Sequence, residues 1–188
     1  MVVRIPADHD DPERTLVSAP VALPASALII EVPEAGPVVD PWRASLDELA
    51  PAGVPAHVTC LFPIPPEDAM TGPAKIADAV RDTGAFDYTF DRCAWFGRTV
   101  LWLAPQDPTP FLRLTHALTT AFPHLLPYEG RFPEVVPHLT IGHKCPAEAL
   151  DDAERDITPQ LPIHGRATHL SLYSPQQGVW TRLQSFPL

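Results

Sequence analysis

The chain has 188 residues, 45% of them apolar, and a formal charge of −10 with two lysines, Lys75 and Lys144. That length suits one large domain or two small lobes sharing a core, with enough apolar side chains for a buried interior. Long nucleic acid is gripped mainly by cations on its phosphates, so this balance excludes a broad RNA or DNA clamp and leaves small nucleotides or the tip of a strand. Residues 1–24 are polar, acidic and proline-marked, and read as a loose lead-in. Residues 25–188 read as a single two-lobed domain. Ala27–Val32 has strand character. Trp42, Leu46 and Leu49 are spaced for one helical face over Pro41–Leu49, with Asp40 as N-cap. His57–Phe62 is an apolar strand that the run Pro63-Ile64-Pro65-Pro66 should stop. Glu67–Asp82 is helical with Ile76 and Val80 inward, and Gly72-Pro73 should split it.

Phe86–Phe96 alternates apolar and polar residues, and Thr99–Ala104 is its hairpin partner through Gly97-Arg98. Thr109–Phe122 carries a helical stripe of Phe111, Leu114 and Leu118. Tyr128–Val136 is a loop, followed by a strand over His138–Lys144 and an acidic helix over Pro146–Ile157. Two strands close the chain, Gly165–Tyr173 and Gly178–Phe186, joined by Ser174-Pro175-Gln176-Gln177. The order strand, helix, strand, helix, two strands is then repeated without its first strand. This weak duplication implies an α+β fold with two lobes near a pseudo-twofold axis.

The duplication carries a repeated triplet. Pro55–Phe62 reads Pro-Ala-His-Val-Thr-Cys-Leu-Phe, and Pro137–Gly142 reads Pro-His-Leu-Thr-Ile-Gly. Each is a His-x-Thr close behind a proline on an apolar strand. Side chains alternate along a strand, so His57 and Thr59 share a face, as do His138 and Thr140. One His-x-Thr alone is weak; two in matching places are not. His169-Leu-Ser171 has no counterpart and is read as ordinary. Two imidazoles and two hydroxyls in one cleft supply an acid, a base and two donors to phosphate oxygens. That set suits phosphodiester chemistry without a metal.

On these motifs the chain resembles the two-histidine phosphoesterase superfamily, which includes 2′-5′ RNA ligases and 2′,3′-cyclic phosphodiesterases, from about Ala27 to the end. The resemblance implies a bilobal α+β fold whose antiparallel sheets line a central cleft with helices outside. It implies a metal-independent phosphodiesterase, reversible towards ligation, acting on 2′,3′-cyclic phosphate or 2′-5′ bonds of RNA ends or small nucleotides. It assigns catalysis to His57 and His138 and phosphate binding to Thr59 and Thr140, with no cofactor. Relatives often have a basic residue three positions after the second Thr. Here that position is His143, five residues from His138 and so on the opposite side of an ideal strand, with Lys144 next.

Phe62 and Tyr128 are candidate stacking residues, and Arg131 and Lys144 candidate phosphate or ribose contacts. Trp42, Trp95, Trp102 and Trp180 read as core or rim. A metal site needs three or four converging ligands, and no such set stands out. A nucleophilic hydrolase ranks last, since no G-x-S-x-G is present. A non-catalytic nucleotide or RNA-end binding module using the same cleft is the alternative. No apolar run reaches membrane-spanning length, and no signal-peptide pattern occurs before Pro24. Cys60, Cys93 and Cys145 lack a C-x-x-C and read as reduced thiols of a cytoplasmic protein.

Overall fold

A computed structural model describes residues 25–188; the lead-in reading of residues 1–24 lies outside the described residues. Eight strands form two four-stranded antiparallel sheets. The strands are β1 (Ser26–Glu31), β2 (His57–Ile64), β3 (Phe86–Phe96), β4 (Val100–Pro105), β5 (Leu139–His143), β6 (Ile163–Ala167), β7 (His169–Gln176) and β8 (Val179–Pro187). The helices are α1 (Gly36–Leu46), α2 (Pro66–Thr71), α3 (Pro73–Val80), α4 (Thr109–Ala121) and α5 (Ala147–Ile157). The sheet orders are β2-β1-β7-β8 and β5-β4-β3-β6, so each His-x-Thr strand lies at a sheet edge. The two edges meet across the centre of the molecule.

The two sheets follow the same path. The runs β1-α1-β2-α2-α3 and β4-α4-β5-α5 correspond, and β7-β8 completes one sheet as β3-β6 completes the other. The helix after each leading strand crosses to the opposite lobe: α1 packs on β5 and α4 on β2. The second sheet therefore begins at β3, not at α4 as the element order implied. One continuous apolar core runs through both lobes, with Leu28, Val58, Leu103 and Ile141 from the sheets against Leu114 and Leu150 of the helices. Along β1 alternate residues face opposite ways: Leu28 and Ile30 enter this core, while Ala27 and Ile29 join Val54 and Tyr173 in a smaller cluster.

Four elements differ from the sequence reading. First, α1 starts at Gly36 and ends at Leu46, instead of spanning Pro41–Leu49. A 3-10 turn at Pro33–Ala35 leads into it, and Pro37 stands in its first turn, where a missing N–H costs nothing. Asp40 is thus inside the helix, not capping it. Second, β2 continues through Pro63 to Ile64. An edge strand tolerates proline because the lost donor would have faced outward. Third, Gly165–Tyr173 is two strands. β6 pairs with β3 and β7 pairs with β1 and β8, so the chain changes sheets at Thr168. No Gly or Pro stands at that corner to announce it. Fourth, the last hairpin pairs as far as Gln176 with Val179, so its turn is Gln177-Gly178, both at positive φ of 51° and 85°. That two-residue geometry matches the twist of the flanking strands, and the glycine makes it cheap.

Candidate active site

His57 opens β2 and His138 stands immediately before β5. The two share one device. Nδ1 of His57 donates to the carbonyl of Pro55 at 2.8 Å, and Nδ1 of His138 donates to that of Val136 at 2.7 Å. A carbonyl only accepts, so each Nδ1 holds a hydrogen and Nε2 is the nitrogen left to exchange protons. Both rings line one cavity of about 310 Å³ between the sheets, together with Thr59 and Thr140. Burial pushes the His57 imidazolium down to about 4, and the Arg43 and His138 charges push the same way, against its bond to Pro55 and the Asp47 carboxylate. Burial also lowers His138, against its bond to Val136. Phe96 and Trp102 stack with centroids 4.7 Å apart, and the His138 ring stands edge-on to both at 5.0 and 5.8 Å. Among the described residues no aromatic pair stands against His57 in this way.

Both motif strands contain a bulge immediately after the threonine. Thr59 pairs with Ile29 while Leu61 pairs with Leu28, which leaves Cys60 as the extra residue. Thr140 pairs with Trp102 while Gly142 pairs with Leu101, which leaves Ile141 as the extra residue. A bulge resets the alternation of faces. The residue three places beyond each threonine is therefore brought back to the cavity: Phe62 on β2 and His143 on β5. The ideal-strand expectation for His143, that it turns away from His138, is overturned by this bulge.

Of the other predicted residues, Tyr128 lines the cavity and Arg131 and Lys144 do not. Tyr128, Glu129 and Gly130 are successive residues at positive φ of 52°, 59° and 71°, an uncommon backbone for the first two. This turn holds the tyrosine ring in the cavity beside Thr59. Burial raises the Tyr128 phenol, and the Thr59 hydroxyl opposes that shift. Arg131 is exposed and paired with Glu129. Lys144 is exposed, with Nζ 3.3 Å from Oε1 of Glu48.

Several lining residues were missed by the sequence reading. Asp47, Leu49, Tyr173 and Trp180 all reach the cavity. Asp47 follows α1 and is buried against Arg43, whose Nη2 lies 2.9 Å from Asp47 Oδ2 and 3.1 Å from the carbonyl of Val54. Arg43 also donates from Nη1 to Asp40 Oδ1 at 3.1 Å, and Leu49 N–H donates to Asp47 Oδ1 at 3.1 Å. The buried pair is thus fully bonded, which is the condition under which buried charges are tolerated. The spacing Asp40, Arg43, Asp47 on one helical face was the available signal for it. His143 faces the carboxylates beyond: Nδ1 is 3.9 Å from Asp47 Oδ1 and Nε2 is 3.5 Å from Glu48 Oε1. Among the described residues no three His, Cys, Asp or Glu side chains converge as a metal site requires. No described helix is long and apolar enough to cross a membrane.

Chemically, the cavity holds two one-proton imidazoles, each with a free nitrogen, and a hydroxyl two residues beyond each. One such imidazole can take a proton while the other gives one, and the hydroxyls can donate to an anionic oxygen between them; the whole is set in a two-lobed α+β fold. The model of the 2′-5′ RNA ligase superfamily matches residues 31–178, and the chain belongs to that family, one of phosphoesterases and ligases. Among solved structures, Escherichia coli LigT in apo form is similar at 20% identity and TM-score 0.60, covering 89% of this chain and 98% of that one. LigT complexed with 3′-AMP is similar at 20% identity and TM-score 0.58, covering 88% of this chain and 98% of that one. The Thermus thermophilus protein TT0787 is similar at 21% identity and TM-score 0.58, covering 87% of this chain and 97% of that one. At these identities the likeness is one of fold. No curated protein shows a significant match.

Proposed function

We propose that the protein is a metal-independent phosphodiesterase that opens 2′,3′-cyclic phosphates, or cleaves 2′-5′ phosphodiesters, of small nucleotides or RNA ends. The observation that carries this reading is the matched pair of imidazoles, each pinned through Nδ1 to a carbonyl two residues upstream, beside the two threonines of one cavity. In hydrolysis of a cyclic phosphate, water attacks phosphorus while Nε2 of one neutral histidine takes its proton. The ring P–O bond breaks, and the other histidine, protonated, gives its Nε2 proton to the departing ribose oxygen. The product is a phosphomonoester, and the two histidines end with their protonation states exchanged. With a ribose 5′-hydroxyl in place of water the same ring-opening attack is ligation; in its reverse the neighbouring 3′-hydroxyl attacks phosphorus, the bond to the 5′-oxygen breaks with a proton from the other histidine, and the 2′-5′ linkage is cleaved to a cyclic phosphate.

Thr59 and Thr140 hold the non-bridging oxygens, whose negative charge grows in the transition state. Phe62 and Tyr128 pack against the sugar or base. Arg131 and Lys144, each turned to a carboxylate outside the cavity, are given no substrate contact. A complex of LigT with 3′-AMP is consistent with a cleft of this fold accepting a nucleotide.

The test is incubation with nucleoside 2′,3′-cyclic phosphates and 2′-5′ dinucleotides, with identification of products, in the presence of EDTA. Turnover to a monophosphate is expected. His57→Ala and His138→Ala should each lower kcat by about 10²-fold or more, the ordinary contribution of one positioned acid or base. Saturable binding without product would instead make the protein a nucleotide-binding module.

A further inference from the structure

The charge around the cavity is arranged to leave little for a second phosphate. At about 310 Å³ the space is near the lower end for ligand pockets, enough for about one nucleotide. Among the described residues no lysine or arginine lines it, and one carboxylate, Asp47, does. Four basic groups on the surrounding described elements are matched by acids. Arg43 is held by Asp40 and Asp47, Lys144 by Glu48, Arg131 by Glu129, and Arg182 by Glu31 at 3.1 Å. The remaining donors on the lining residues are neutral or titratable: the three imidazoles, the two threonine hydroxyls, the phenols of Tyr128 and Tyr173 and the indole of Trp180. Two of those imidazoles and both threonine hydroxyls are engaged with the reacting phosphodiester.

The third imidazole is His143, brought inward by the bulge at Ile141. It faces Asp47 and Glu48, which follow α1, with Lys144 next to it just past the end of β5. A histidine is not a permanent cation as arginine is. In a half-enclosed cavity a second, uncompensated anion is penalised more than in open water.

We propose that the cavity selects a phosphodiester with one negative charge on an otherwise uncharged nucleoside, and disfavours the same compound with a second phosphate, with His143 as the residue that sets this selectivity. The proposal rests on the phosphodiesterase reading above, and its test separates the two. Cytidine 2′,3′-cyclic phosphate and its 5′-phosphorylated form are compared by calorimetric titration of the His57→Ala variant, so that ligand is not consumed. They are also compared by turnover with the unsubstituted protein. The 5′-phosphorylated form is expected to bind about tenfold more weakly, equivalent to about 1.4 kcal/mol. Adding His143→Arg should shrink that ratio to about threefold or less by placing a fixed cation beside Asp47 and Glu48.

Equal or tighter binding of the 5′-phosphorylated form would overturn the charge selection. A ratio untouched by His143→Arg would overturn the assignment to His143. Turnover of neither compound would refute the phosphodiesterase reading, while the ratio of Kd values would still decide the selectivity.

Discussion

His57 and His138 are made useful by what they touch and not by their identity alone. A bond from Nδ1 to a backbone carbonyl fixes the tautomer and aims the opposite nitrogen. Burial, the Arg43 charge and the neighbouring imidazole keep His57 neutral down to about pH 4. The sign of the stability effect follows. Between about pH 6.5, an ordinary imidazole's midpoint, and about pH 4, the unfolded chain binds a proton at this position and the folded one does not. Stability must therefore fall as pH is lowered through that window, and His57→Asn should flatten the fall. Chemical denaturation of both proteins from pH 7 to 4 checks it; parallel curves would mean that His57 titrates normally. The same shift keeps His57 available as a base in acid, so the low-pH limb of kcat/KM should lie well below pH 6.5 if His57 is the base.

Bulges, helix crossings and close approaches decide which residues these strands present. The bulges at Cys60 and Ile141 turn Phe62 and His143 inward, and Gly142, next to the second bulge, lets α1 approach β5. A Cβ at Gly142 would lie 2.6 Å from Cβ of Leu46 and 2.8 Å from Cδ2 of Leu150. Gly142→Ala should therefore cost about 1–3 kcal/mol of stability as an overpacked contact. Because α1 carries Arg43 and leads into Asp47, displacement should also disturb the floor of the cavity. Thermal unfolding with a parallel assay of kcat/KM checks both; unchanged values would show that α1 is not seated by this glycine.

These devices also mark where the sequence was legible. The two motifs, the Gly72-Pro73 break and the β3-β4 hairpin were readable because apolar periodicity and Gly-Pro punctuation are local signals. The bulges were not, since one extra residue opposite a partner strand has no local signature. The corner at Thr168 and the residues Tyr173 and Trp180 were hidden for a similar reason: sheet membership is a long-range choice. Asp47 and Leu49 fall beyond α1 because Pro33 and Pro37 flank its start, whereas Asp40, which resembles an N-cap, lies inside it.

At the scale of the whole molecule, two sheets of like topology exchange helices so that their edge strands confront each other, and the cleft lies between those edges. The surface around it belongs to a chain of formal charge −10. Proteins that track nucleic acid with lysines and arginines lose affinity steeply as salt rises, because binding releases counterions. Here the sign should reverse. A long RNA ending in a 2′,3′-cyclic phosphate brings many phosphates towards an acidic surface, and that repulsion is what salt screens, with a Debye length near 10 Å at about 0.1 M. A mononucleotide confined to the cavity brings far less charge to the surrounding surface. Raising salt from about 0.05 to 0.3 M should therefore leave kcat/KM for a cyclic mononucleotide nearly constant and raise it for a 20-nucleotide RNA with the same end. The two series, measured side by side at fixed pH, decide it. A steep fall with salt for the RNA would reveal a cationic track along the protein and place its substrates among longer strands.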